Sequence, residues 1–339
     1  MFKQRTKLLR FVFLVIVFGL ASAVSFANAN TIELKYAGLL PPGTTLSAPV
    51  DEWGKLVEER TQGQVKLTTY HAQSLGKFRE FPKLMKSGLC DMAFVAGGTP
   101  GFSLLSVSEL PTLVSSMRIS MDLVNGLYRT GYFFSIFEDK GFKLMFFMNS
   151  DPRMIWLSKK KVTRLSDFKG LKIRGISPVH IDVAKALGAT AVGIAPADVY
   201  MALERGTVDG IMNPTEGIFA MKLKDSIKYV LWEPVTSDMT AVVMNLDVWN
   251  KLPAEVRAVV QDVNAEMQYR YLNYYKTVEE DKTRIREAGI EIVEIDPDQK
   301  SDFYAALEPV TQNWLNQIEK MGEDGKKVYE EARKLLEQY

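Results

Sequence analysis

The chain has one cysteine and two histidines in 339 residues. The lone thiol, Cys90 in "GLCDMAFVAGG", forms no intramolecular disulfide and is expected to serve as a small buried apolar residue. The histidines are too isolated for a metal centre. His71 follows a β-like run and His180 sits in the first turn of a helix, neither with a second nitrogen or thiolate ligand at metal spacing. Also missing are G-x-S-x-G, G-x-x-x-x-G-K-[ST], H-E-x-x-H and a G-x-G-x-x-G after a strand, which takes away the readable signatures of several enzyme classes. Adjacent carboxylates such as Asp51 with Glu52, or Glu58 with Glu59, point in different directions on a helix and read as a solvated face. No catalytic residue, metal or cofactor is expected.

Long apolar runs are confined to the amino terminus. "MFKQRTKLLR" carries four cations and no acid, and "FVFLVIVFGLASAV" follows, the layout of a secretory signal. The apolar run is shorter than the roughly 20 residues of a bilayer span, and Ala27-Asn28-Ala29 supplies a small-x-small cleavage pattern. Residues 1–29 are therefore expected to be removed, leaving a soluble exported protein; the alternative is an uncleaved amino-terminal anchor. Without those four cations, 38 Lys and Arg face 41 Asp and Glu, a balance of −3 that points to no nucleic-acid partner.

What is present is an alternation of short β-like runs with amphipathic helices, which predicts an α/β protein with largely parallel sheets. "IELKYAG" and "QVKLTTYH" read as strands around a helix whose inner face is Val50, Trp53, Leu56 and Val57. "DMAFVAG", "FKLMFFMNS", "RMIWLSKK", "LKIRG", "ATAVGIA", "TVDGIMNP" and "MTAVVMN" read as further strands. Ser177 followed by Pro178 predicts a capped helix that Gly188 stops. From Pro253 to Gly289 the pattern stays helical for about 35 residues, roughly 50 Å, long enough to span two lobes. No Gly/Ser-rich tether separates independent domains, so the lobes are joined by ordinary strand crossings.

One cation stands out. Arg174 ends the strand "LKIRG" just before the Ser177-Pro178 helix start, a place where the first helix amides and a guanidinium can grip a carboxylate. The plain alternative is a surface ion pair with Asp167 or Asp182. The five tryptophans, Trp53, Trp156, Trp232, Trp249 and Trp314, are scattered and read mostly as core.

The block "SDFKGLKIRGISPVHIDVAKALGATAVGIAPADVYMALERGTVDGIMNP" resembles the signature region of the solute-binding proteins of tripartite ATP-independent periplasmic (TRAP) transporters, the DctP-like family. It carries D-x-K-G-x-K-x-R, x-V-D-G and N-P in that order. "EERTQGQVKLTTYHAQSLGKFREFPKLMKSGLCDMAF" and "NLDVWNKLPAEVRAVV" extend the likeness over nearly all of the mature chain. The resemblance implies a two-lobe periplasmic binding fold of the type II-like Venus-flytrap kind, with a long helix spanning both lobes. It places residues 30–150 in lobe one, with 239–278 returning to it, and 151–238 in lobe two, with 279–339 packing on it and the hinge. It further implies a carboxylate ligand, a periplasmic location, and delivery to the small and large integral membrane subunits of a permease.

Residue by residue, Arg174 matches the family's carboxylate-clamping arginine, Asn213 an asparagine that contacts the ligand, and Arg153 a second arginine at the start of the other lobe. This chain departs from members that bind sugar acids: where they carry a glutamate after the D-x-x-F strand, it has Ala96, Gly97 and Gly98. A pocket without that acid suits an apolar or aromatic monocarboxylate or keto acid, with Phe94, Trp156, Phe219 and Trp232 as possible walls. Two other readings stay open: an enzyme on the same fold, which would return its ligand chemically changed, and a sensory subunit that presents a bound acid to a membrane receptor.

Overall fold

The computed structural model describes residues 31–111, 113 and 117–337; the expected signal segment and its expected cleavage point lie outside the described residues. Eleven strands are formed among the described residues: β1 (Ile32–Ala37), β2 (Val65–Tyr70), β3 (Met92–Ala96), β4 (Phe142–Asn149), β5 (Arg153–Leu157), β6 (Lys172–Gly175), β7 (Thr190–Gly193), β8 (Gly210–Asn213), β9 (Tyr229–Thr236), β10 (Met239–Asn245) and β11 (Glu291–Val293). They build two sheets, one per lobe. The first runs β2-β1-β3-β10-β4 and the second β11-β9-β5-β8-β6-β7. In the first, β1, β2 and β3 are parallel and β10 is inserted antiparallel between β3 and β4. In the second, β6, β7 and β8 are parallel, while β5 runs against β8 and β9.

The burial of the strands follows their composition. β3, β4 and β10 are near-continuous apolar runs and are buried almost throughout, as strands covered on both faces must be. Cys90, just before β3, is buried as a small apolar residue. Helix Ala48–Arg60 covers β2 with Val50, Trp53 and Val57, and the Trp53 indole donates to Asn264 Oδ1 at 2.7 Å, tying it to helix Ala254–Arg270. Fully burying one such side chain contributes roughly 1.5–3 kcal/mol.

Two departures from the sequence reading have local causes. The helical stretch after Pro253 does pass from one lobe to the other, but as two helices, Ala254–Arg270 and Val278–Glu287, with a 3-10 turn at Tyr271–Tyr274. The break is a capping box. The Thr277 hydroxyl accepts from Glu280 N at 3.3 Å while the Glu280 carboxylate accepts from Thr277 N at 2.7 Å, so the chain restarts a helix there. The longest helix is Lys300–Lys320, packed on helix Pro178–Ala186 of the second lobe. Residues 279–339 are not all on that lobe: helix Gly325–Leu336 packs on helix Met117–Arg129 and segment Ser103–Glu109 of the first. Gly126 permits this approach, since a Cβ there would stand 2.9 Å from Leu335 Cδ1.

Two strand crossings, between β4 and β5 and between β9 and β10, join the lobes side by side. Ser150 N donates to Asp238 O at 3.0 Å, and Ser237 Oγ donates to Asn149 Oδ1 at 3.1 Å, which fastens one crossing to the other. Tyr275, on the helical passage, donates its hydroxyl to Asn149 O. Three of the chain segments that pass between the lobes thus form one hydrogen-bonded bundle, and the passage from helix Lys300–Lys320 to helix Gly325–Leu336 is a fourth.

Candidate functional site

Parallel strands of an open α/β sheet present the crevice beyond their carboxyl ends as the natural place for a ligand. Here the ends of β6, β7 and β8 face the ends of β1 and β3 across a cavity of about 730 Å³. Its walls are mostly apolar, with Leu39, Leu46, Phe78 and Phe94 from the first lobe and Ile194 and Met221 from the second.

Arg174 reaches this cavity from the last turn of β6. It is 2 % exposed, and its Nε donates to Ile194 O at 2.9 Å. No carboxylate lies within ion-pair distance of it among the described residues, so it is not the surface pair that Asp167 or Asp182 offered. Asp167 caps its own turn, accepting from Thr163 N at 3.0 Å, and Asp182 accepts from Gln317 Nε2 at 2.9 Å. Burial first, and then the Arg153 cation, push the Arg174 pKa down to about 9, the mark of a charge without its counter-ion. Gly175 after it lets helix Pro178–Ala186 close on the strand, because a Cβ there would stand 2.7 Å from His180 Cβ. Ser177 caps that helix, accepting from His180 N at 3.2 Å.

Arg153 also lines the cavity, but it is already paired. Its Nε donates to Asp238 Oδ2 at 2.7 Å, and its Nη2 bonds the same oxygen, which also accepts from Ser150 Oγ at 3.0 Å. Burial opposes the Asp238 charge, yet Arg153, His180 and Ser150 together hold its carboxyl below the ordinary value. Arg153 Nη1 donates to Asn213 Oδ1 at 3.3 Å, which fixes the amide and leaves Asn213 Nδ2 as a buried donor with no partner.

The four aromatics separate. Phe94 lines the cavity. Trp156 does not: it is fully buried in the second-lobe core, and its indole donates to Asn213 O at 2.8 Å, supporting the site from behind. Phe219 stacks under Arg284, whose guanidinium carbon is 4.1 Å from the ring centroid, and Trp232 lies beneath Lys282 at 5.5 Å; neither lines the cavity. Phe78, not singled out in the sequence, takes a wall position, 5.9 Å from Phe94 between ring centroids.

The cavity is not without an acid. Glu109, from the 3-10 segment Ser103–Glu109, is buried on its wall, and a Cβ added at Gly97 would stand 2.7 Å from Glu109 Oε1. A carboxyl from the next segment of the chain thus fills the space beside the glycines that replace the family's glutamate. Ser177 Oγ donates to Glu109 Oε2, and His180 Nε2 lies 3.6 Å from both Glu109 Oε2 and Asp238 Oδ1. Burial first and Asp238 second push the Glu109 pKa up to about 8.

Glu109, His180 and Asp238 bring potential ligand atoms within 4.8 Å of one another. Their hydrogen bonds fit a proton network better than a metal ion. Ile176 N donates to His180 Nδ1 at 3.4 Å, so the ring proton of the neutral imidazole belongs on Nε2, the very atom that would have to ligate. Burial and Arg153 push the His180 pKa down to about 3, so the ring is neutral, and two nearby guanidiniums disfavour a further cation. His71 is held by Asp51 at 3.1 Å and does not line the cavity.

Comparison with known proteins assigns this architecture. The family model for bacterial extracellular solute-binding protein, family 7, matches residues 36–317. The chain is 29 % identical over 277 residues to a solute-binding protein of Verminephrobacter eiseniae, covering 80 % of this chain and 81 % of that one. It is 27 % identical over 308 residues to the C4-dicarboxylate-binding periplasmic protein DctP of Rhodobacter capsulatus, covering 86 % and 89 %. Its fold matches, with a TM-score of 0.81 and 23 % identity, the crystal structure of a marine metagenome TRAP solute-binding protein specific for aromatic acid ligands, over 91 % of this chain and 99 % of that one. No helix among the described residues is long and apolar enough to cross a membrane. The relatives are transport proteins and not enzymes, and the chain belongs to the bacterial extracellular solute-binding proteins of family 7, the solute receptors of TRAP transporters.

Proposed function

We propose that this protein is a periplasmic receptor for an apolar or aromatic monocarboxylate or keto acid, which Arg174 holds by its carboxylate and which is handed on closure to the membrane subunits of a TRAP permease. One observation carries the reading. Arg174 is a buried guanidinium with no acid partner in a largely apolar cavity, and its planar fork is complementary to a carboxylate that has yet to arrive. Asn213 Nδ2, buried and unpartnered, is the second donor of the clamp. Arg153 acts indirectly, by orienting the Asn213 amide while Asp238 neutralises it.

The ligand's apolar body would rest against Phe94 and Phe78 of the first lobe while its carboxylate meets the second. A ligand that touches both lobes stabilises the closed form through contacts that exist only there. A protein of the same fold holds metahydroxyphenylacetate, an acid of this class, which fits the reading.

A thermal-shift screen of residues 30–339 against organic acids tests it. An acid present at 100 times its dissociation constant adds about 2.7 kcal/mol of stability. A raised midpoint in wild type, absent in Arg174→Ala, is the expected result. Folded, ligand-stripped protein that no acid stabilises would contradict the reading.

A further inference from the structure

The clamp leaves a buried carboxyl of the cavity, Glu109, unused. Glu109 comes from the first lobe, and its Oε2 is bonded by the second. Ser177 Oγ accepts from His180 N at 3.2 Å, so its own hydrogen is free to donate to Oε2. His180 Nε2 has no hydrogen-bond partner and lies 3.6 Å from both Glu109 Oε2 and Asp238 Oδ1. With the Ser177 hydroxyl donating to Oε2, a proton carried by Glu109 belongs on Oε1, the oxygen beside Gly97.

The groups that face Glu109 come from every element around it: Ser177 and His180 from the capped helix, Asp238 from the second crossing, Arg153 from β5 and Arg174 from β6. Arg153 is committed to Asp238, and neither Arg153 nor Arg174 lies within ion-pair distance of Glu109.

We propose that Glu109 contacts the ligand as a neutral carboxylic acid, donating Oε1–H to a keto or carboxylate oxygen of the bound acid and rejecting ligands that place an ammonium there. The charge balance supports this. Arg153 and Asp238 cancel, so a neutral Glu109 leaves Arg174 as the one uncompensated buried charge of the cavity among the described residues, which a monocarboxylate matches. An ionised Glu109 would set a second negative charge against the incoming carboxylate. Burial and Asp238 push its pKa up to about 8, in the same direction.

The ligand half of this proposal rests on the receptor reading; the protonation is a property of the free protein and is tested without ligand. Infrared spectra of the ligand-free protein at about pH 7 are expected to show protonated-carboxyl absorption that is lost as pH is raised, stronger in wild type than in Glu109→Gln, where the Asp151 contribution stays. A wild-type spectrum unchanged by pH, or identical in the variant, would overturn the proposal. Calorimetry with phenylpyruvate and phenylalanine tests the ligand half. Phenylpyruvate is expected to bind and phenylalanine to be refused, with phenylpyruvate affinity falling about tenfold per pH unit above the Glu109 pKa. Glu109→Gln, whose amide N–H replaces the acid O–H, is expected to bind phenylpyruvate without the pH slope. Preferred binding of phenylalanine, a flat wild-type profile, or a pH slope that persists in Glu109→Gln would each overturn it. The wild-type binding profile carries the test alone if the variant does not fold. Failure of phenylpyruvate to bind at every pH, with the carboxyl band present, would overturn the ligand class while supporting the neutral acid.

Discussion

Arg153 donates from Nε and from Nη2 to a single carboxylate oxygen of Asp238, the Nε bond measuring 2.7 Å. This pairing separates the two arginines of the cavity. Arg153 is neutralised by Asp238 and bonded to Asn213, and Arg174 is the buried guanidinium without an acid partner, the proposed clamp. The pair also sits at the junction of both strand crossings, so it links the site to the hinge.

Asp238→Asn is expected to strand the Arg153 charge, whose side chain is only 11 % exposed. Breaking a buried pair from one side costs about 3–5 kcal/mol. Urea unfolding of the ligand-free variant measures this directly, and a loss under about 1 kcal/mol would show the pair to be solvated like a surface bridge.

Stability is expected to fall as pH rises between about 4.5 and 8. The ordinary glutamate value is 4.5 and that of Glu109 in the fold is about 8, while Asp151 is pushed from 3.8 up to about 7 by burial, Asp281 and Glu216. Between those limits the folded chain binds more protons than the unfolded one, so the contribution is fully present below the unfolded values and is lost as pH passes the folded ones. Asp238 acts oppositely, since its depressed carboxyl gives stability that is lost as pH falls through the folded value. Thermal midpoints across this range, in wild type and Glu109→Gln, check the sign; the variant should show the shallower decline.

Truncating the aromatics should divide them as the cavity does. Phe94→Ala is expected to weaken binding of the receptor's acid by about 1–3 kcal/mol through lost apolar contact. Trp232→Ala and Phe219→Ala should leave affinity within about twofold, because both rings lie under cationic side chains away from the cavity. Calorimetric titration of the three variants decides this; a large loss at Trp232 would place that ring against the ligand.

Local features of this molecule were legible in the sequence. Strand composition, the Ser177 cap, and Arg174 at a strand end are written in consecutive residues, and each is governed by short-range sterics or hydrogen bonding. Glu109 and Asp238 were not legible. Glu109 meets Ser177 across 68 positions, and Asp238 meets Arg153 across 85, with no periodicity joining them. Glu109 also filled a space whose emptiness at Gly97 had read as a missing acid. Trp156, Phe219 and Trp232 failed as walls for a related reason: apolar character marks a side chain for burial without saying whether it faces a core or a cavity. The break at Thr277 could have been read from "TVEE", an N-cap threonine with glutamate three residues on.

Calorimetric titration of Arg174→Ala and Arg174→Lys, with the acid identified by thermal shift, tests the clamp most directly. Losing a charge-assisted bidentate contact should lower affinity by about 2–5 kcal/mol, roughly thirtyfold to several-thousandfold, and lysine should not restore it because an ammonium lacks the fork. The ligand-free alanine variant should unfold no earlier than wild type, since it removes an uncompensated buried charge. Wild-type affinity in Arg174→Ala would contradict the assignment of this arginine as the carboxylate clamp.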